Sequence, residues 1–230
     1  TSAEALIKNR ASLSRALNNG ARIGNNAEEF GRVAGKLRKV GENVVGIEVN
    51  ISCPNVANRG LVFACQPESA HEVISIVRRT IGGSYPIFAK LSPDVTDIVS
   101  ITKAVVDAGA SGVSVINTLL GMVIDTQLMK PALAGVTGGL SGPAIRPVAV
   151  RAVWQIRQAF PDLPIIGMGG ILSGNDAFEF VLAGANAFAV GTANFHDPSS
   201  ISRIQSELAQ ILFERGFSSL QEAVSFAHRN

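Results

Sequence analysis

Five short apolar runs, each followed by an amphipathic helical stretch, constrain this chain more than any other feature. Val44–Ile51, Ile87–Leu91, Gly112–Asn117, Ile165–Gly169 and Ala187–Gly191 have the length and aliphatic content of buried strands. Helical spacing covers Glu68–Ile81, Thr96–Ala108, Pro143–Phe160, Asn175–Ala183 and Ser200–Glu214. Such alternation requires parallel pairing with right-handed crossovers. The tails AGASG (Ala108–Gly112) and AGAN (Ala183–Asn186) mark tight helix-to-strand turns of the kind repeated around a barrel. The expected fold class is therefore α/β, a TIM-type (β/α)8 barrel, with an open flavodoxin-like sheet as the alternative. Two further helices are expected before the first strand. Glu4–Leu17 ends at the turn Asn18-Asn19-Gly20, and Ala27–Val40 carries its acids early and its bases late, as the helix dipole favours.

Composition agrees with a fold that buries both faces of its strands, since 47% of the 230 residues are hydrophobic and only 17% charged. A formal charge of +2 without runs of like charge makes a nucleic-acid partner unexpected. The longest apolar stretches are strand-sized and no signal-peptide core stands at the start, so no membrane is expected and a cytoplasmic location is. Two cysteines, Cys53 and Cys65, suit neither a disulfide framework nor a four-ligand zinc site.

In a βα-barrel, chemistry sits just past the C-terminal ends of strands. That rule selects Asn50 through Asn55, Lys90-Leu91-Ser92-Pro93, Asn117-Thr118, Gly169-Gly170 and Gly191-Thr192. Each polar residue alone also suits a cap or turn, but five coincide at one rim. A Gly-Gly or Gly-Thr step after a strand lets backbone N–H groups approach a phosphate, and two such loops after the last two strands imply a phosphorylated ligand. The stretch Gly138–Pro143 reads as a further flexible glycine-rich loop leading into a helix that begins at proline. Cys53 lies between a strand end and Pro54-Asn55, on a loop rather than a core face. As a base it needs a polar, cationic surrounding, which Lys90 could supply in part. Lys90, at the end of an apolar strand, either faces an anionic ligand or snorkels to solvent. Cys65 suits a filler role as well as a functional one.

The segments IEVNISCPN (Ile47–Asn55), FAKLSPDVTDI (Phe88–Ile98), VINT (Val115–Thr118), GGLSGPAIRP (Gly138–Pro147), PIIGMGGI (Pro164–Ile171) and AVGTA (Ala189–Ala193) together resemble dihydroorotate dehydrogenase, in order and spacing from about residue 27 onward. Cysteine at position 53, where the quinone-linked class has serine, resembles class 1. Asn55–Glu68 looks more like the NAD-linked branch, whose catalytic subunit pairs with an FAD and iron–sulfur subunit, than the fumarate-linked one.

The resemblance implies FMN-dependent oxidation of dihydroorotate to orotate in de novo pyrimidine biosynthesis, by one FMN-binding domain spanning 1–230. It makes Cys53 the base that removes the C5 proton while the C6 hydride passes to flavin N5. Asn50, Asn55, Asn117 and Thr118 are similar to the family's substrate contacts. Asn50, Lys90, Ile116, Gly142, Gly169, Gly170, Gly191 and Thr192 match its cofactor contacts; no metal ligand is implied, and homo-oligomers are common. The family closes eight strands, so a barrel lacking its first strands, with another flavin lysine and an Asn-Gly-Leu loop, is expected here. Ala21 stands where the family has an asparagine near the flavin. Two alternatives follow: a dihydropyrimidine dehydrogenase-like domain using Cys65, and an inactive partial barrel that assembles with another chain.

Overall fold

The computed structural model describes residues 27–37, 45–52, 66–83 and 85–229. The expected helix Glu4–Leu17, Ala21, Cys53, Asn55 and Cys65 lie outside the described residues.

Five parallel strands form the core sheet: β1 (Ile47–Asn50), β2 (Ile87–Leu91), β3 (Gly112–Val115), β8 (Ile165–Met168) and β9 (Ala187–Ala189). They lie side by side in chain order. A doubly wound sheet reverses its strand order at a switch point, and no reversal occurs here, so the flavodoxin-like alternative falls away. The helices α1 (Ala27–Leu37), α2 (Pro67–Ile81), α3 (Ile98–Asp107), α4 (Arg146–Ala159), α5 (Gly174–Ala183) and, beyond the four-residue α6 (Ala193–His196), α7 (Ser200–Glu214) follow suit. Each of α1 to α4 packs on the next and α5 packs on α7, the single-handed winding of a barrel wall. Among the described residues the wall is not closed.

Alternation sorts the strand residues into two faces. Ile47, Val49, Ile87, Ala89, Leu91, Val113, Val115 and Ile165 are all buried on the outer face, beneath the helices. Gly167 shares that face, where an added Cβ would lie 2.5 Å from Phe180 of α5. Glu48, Asn50, Phe88, Lys90, Ser114, Ile166 and Met168 alternate onto the inner face.

A repeated arginine device explains both AGA tails. Arg78 of α2 donates from Nε and Nη2 to the Gly109 carbonyl at 2.9 and 2.7 Å and from Nη2 to Ser111 Oγ at 3.1 Å. Ser111 Oγ also accepts from the amide of Ile87, which opens β2. Two crossovers later, Arg157 of α4 donates from Nε and Nη2 to the Gly184 carbonyl at 3.0 and 2.7 Å and from Nη2 to Asn186 Oδ1 at 2.8 Å. Asn186 Oδ1 in turn accepts from Ile165 N, which opens β8. Each arginine thus ties a helix end to the next helix-to-strand turn and fixes where a strand starts. Burial lowers the Arg157 pKa, while Asp162 opposes that shift.

Where the structure departs from expectation is residues 119–140. They form two short antiparallel pairs, β4 (Leu119–Gly121) with β7 (Gly138–Leu140) and β5 (Ile124–Asp125) with β6 (Lys130–Pro131). The glycine-rich stretch expected as a loop from Gly138 therefore starts as a strand. Gly139 allows it, because an added Cβ would collide with Thr118 Oγ1. The expected helix from Pro143 begins as a 3-10 turn over Pro143–Ile145 before α4. After α7 come the short α8 (Leu220–Ala223) and a 3-10 turn over Phe226–Arg229.

Candidate active site

The C-terminal ends of the five strands meet at one rim. Past β1, Asn50 Oδ1 accepts from the backbone N and the Oγ of Ser52 at 3.2 and 2.7 Å. Two donors on one oxygen fix the amide orientation and leave the Asn50 NH2 for another acceptor. Past β3, Asn117 Nδ2 donates to the Ser52 carbonyl at 3.0 Å. Asn117 thereby holds the chain one residue before Cys53, and its Oδ1 stays available as an acceptor. The Ile116 and Asn117 amides donate to the Met168 and Leu91 carbonyls at 3.0 and 2.9 Å, which fixes the β3 end between its neighbours.

A cavity lies at this rim, with about 610 Å³ of empty space including its open mouth. Lys90, Ile116, Asn117, Thr118, Gly142, Gly169, Gly170, Gly191 and Thr192 all line it. These are nine of the residues expected from sequence, drawn from β2, β3, β8, β9 and the turn before α4. Asn50 joins through Ser52 rather than by lining the cavity. Ser141, Ile145, Met168, Ile171, Leu172, Ala189 and Ala193 also line it and were not singled out from sequence. Of these, Met168 and Ala189 could have been found by strand alternation.

The glycines shape one end of the cavity. Gly170 has φ +72°, and a Cβ there would sit 2.7 Å from the Gly142 carbonyl oxygen, so two backbone turns touch where only glycine fits. At Gly142 and Gly191 a Cβ would meet no atom within 4 Å, so backbone at these points borders open space. The opposite side is charged: Lys90 Nζ lies 3.8 Å from Glu48 Oε1. Among the described residues no group of three His, Cys, Asp or Glu is placed to hold a metal, and no helix is long and apolar enough to cross a membrane.

Fold and site together define a βα-barrel chain with an open cavity at its C-terminal rim, glycine turns at one end and a lysine at the other. The Dihydroorotate dehydrogenase family model matches residues 4–212. The chain is 53% identical over 201 residues to the dihydroorotate dehydrogenase B (NAD(+)) catalytic subunit of Geotalea daltonii, covering 87% of this chain and 65% of that protein. It is 47% identical over 224 residues to the protein of that name from Geobacter metallireducens, covering 96% and 72%. A crystal structure of DHODH in complex with ferulenol from Eimeria tenella shares the fold, with a TM-score of 0.74 at 24% identity over 96% of this chain and 66% of that one. The chain belongs to the dihydroorotate dehydrogenase family. It spans just under two thirds of the length of the first of these relatives.

Proposed function

We propose that this chain is the FMN-binding catalytic unit of a class 1, NAD-linked dihydroorotate dehydrogenase, which oxidises dihydroorotate to orotate in pyrimidine biosynthesis. The observation that carries this reading is the convergence of Lys90, the Asn117-Thr118 pair and the glycines at 142, 169, 170 and 191 on one cavity. The fit to FMN rests on that cradle. Open space beside the Gly142 and Gly191 backbone suits a phosphate, Ile116 offers an apolar surface to a flat ring, and Lys90 supplies positive charge where a reduced flavin is anionic.

FMN, when bound, supplies the hydride acceptor. The protein does the rest. Cys53 Sγ takes the C5 proton of dihydroorotate as the hydride leaves C6, so a weak base suffices. Asn50, Asn55, Asn117 and Thr118 hold the pyrimidine carbonyls and the carboxylate. A ligand lacking those carbonyls would leave their amides unpaired, which gives selectivity. Because Asn117 also holds Ser52, it couples substrate binding to the position of the residue that directly precedes Cys53. An FAD and iron–sulfur subunit passes the electrons on to NAD.

Anaerobic addition of dihydroorotate to the FMN-loaded protein tests the reading. Oxidised-flavin absorbance is expected to bleach with stoichiometric orotate formation, and a flavin left oxidised would contradict it. Gly170→Ala is expected to weaken FMN binding at least tenfold, because the strained φ alone costs about 1–2 kcal/mol and relief moves the Gly142 turn. Fluorescence titration with FMN measures this. Unchanged affinity would remove Gly170 from the cofactor site.

A further inference from the structure

Glu48 and Lys90 are the two ionisable residues in the five parallel strands, and both alternate onto the inner face. In register, Lys90 lies opposite Asn50 and Glu48 opposite Phe88, so the carboxylate sits one layer below the lysine, on the far side from the rim. The side chains are 15% and 30% exposed and approach to 3.8 Å, an ion-pair distance too long for a hydrogen bond. On the other flank, the register partner of Lys90 is Ser114, whose fully buried Oγ has no hydrogen-bond partner among the described residues. The ammonium is therefore braced by charge from one side only, and its remaining donors are left for whatever fills the cavity it lines.

We propose that Glu48 is a positioning residue: it holds the Lys90 ammonium at the cavity floor and offsets part of its charge, so that the lysine stabilises negative charge on a bound flavin without over-stabilising it. This rests on the FMN reading above. A largely buried lysine without its counter-charge exerts its full field on the nearest anion, and the field of a carboxylate several ångströms away is substantial in a partly desolvated cavity. Glu48 thus sets how strongly the cavity favours an anionic cofactor, although it does not line the cavity itself.

Sulfite titration of the FMN-loaded protein reads this without turnover. The sulfite sulfur donates its electron pair to flavin N5, and the resulting negative charge spreads over N1 and the C2 carbonyl. Glu48→Gln is expected to tighten sulfite binding about three- to tenfold, and Glu48→Asp, which draws the charge back by one methylene, to tighten it less. In a Lys90→Met background, with FMN at saturation, Glu48→Gln should leave sulfite affinity unchanged. Sulfite affinity that stays constant or weakens in both Glu48 variants would overturn the proposal, as would an equal tightening in the Lys90→Met background. Thermal melting by circular dichroism checks that each variant folds; should Glu48→Gln not fold, Glu48→Asp decides by the same criterion. A parent protein that binds no FMN would instead overturn the cofactor reading and this inference with it, whereas FMN binding with unaltered sulfite affinity sinks the Glu48 role alone.

Discussion

Arg157→Ala is expected to destabilise the fold by about 3 kcal/mol, through a mechanism visible in its hydrogen bonds. The side chain is 5% exposed and donates to the carbonyls of Gly184, Phe160 and Pro161 and to Asn186 Oδ1. Its removal strands several buried acceptors, each costing roughly 1–3 kcal/mol where water cannot replace the donor. It also loosens the turn that sets where β8 begins, since Asn186 Oδ1 bridges the guanidinium to Ile165 N. For a chain of this size the loss corresponds to roughly 6–12 °C in Tm. Arg151→Ala on the exposed face of the same helix, where the contact is a 3.5 Å approach to Gln155, should shift stability within about 0.5 kcal/mol. Urea denaturation of both variants provides the comparison. Equal losses would show that the arginine device does not hold the wall together.

Cys53→Ala is expected to lower dihydroorotate oxidation by about 10²- to 10⁴-fold, the usual worth of a positioned base, while leaving FMN bound. The expectation follows from the proposed division of labour: the cofactor cradle is built from Lys90 and the glycine turns, none of which depends on the thiol. Cys65→Ser should leave the reaction within about twofold, because the proposed base is residue 53, which directly follows the Ser52 that Asn117 holds. Stopped-flow bleaching of the flavin separates the chemical step from binding. A large loss in the Cys65 variant with little change in the Cys53 variant would transfer the base to Cys65 and bring the dihydropyrimidine dehydrogenase-like alternative forward.

Much of this architecture was legible in the sequence because parallel strands buried on both faces must be continuous apolar runs. Ile87–Leu91 matches its strand at both ends, and the other four runs contain theirs but overshoot by one to three residues. The overshoot has a physical cause at each rim. Ile116, Gly169 and Gly191 remain apolar or small because they line the cavity, not because they continue the ladder. The 119–140 excursion was not legible, since strands of two or three residues carry too little periodicity, and its apolar side chains, among them Val123, Leu128 and Met129, are exposed rather than packed. Nor does the sequence disclose the Glu48–Lys90 pair. The two residues are 42 positions apart, and only the parallel register makes them neighbours. The AGA tails were read as tight turns, but their arginine partners in the preceding crossovers emerged only from the packing.

The most direct test is a crystal structure of the protein grown with FMN. The account predicts the phosphate against the backbone of residues 169–170 and 191–192, the ring over Ile116, and its pyrimidine edge within reach of Lys90. Flavin bound elsewhere on the chain, or with its phosphate at the Lys90 end, would contradict it.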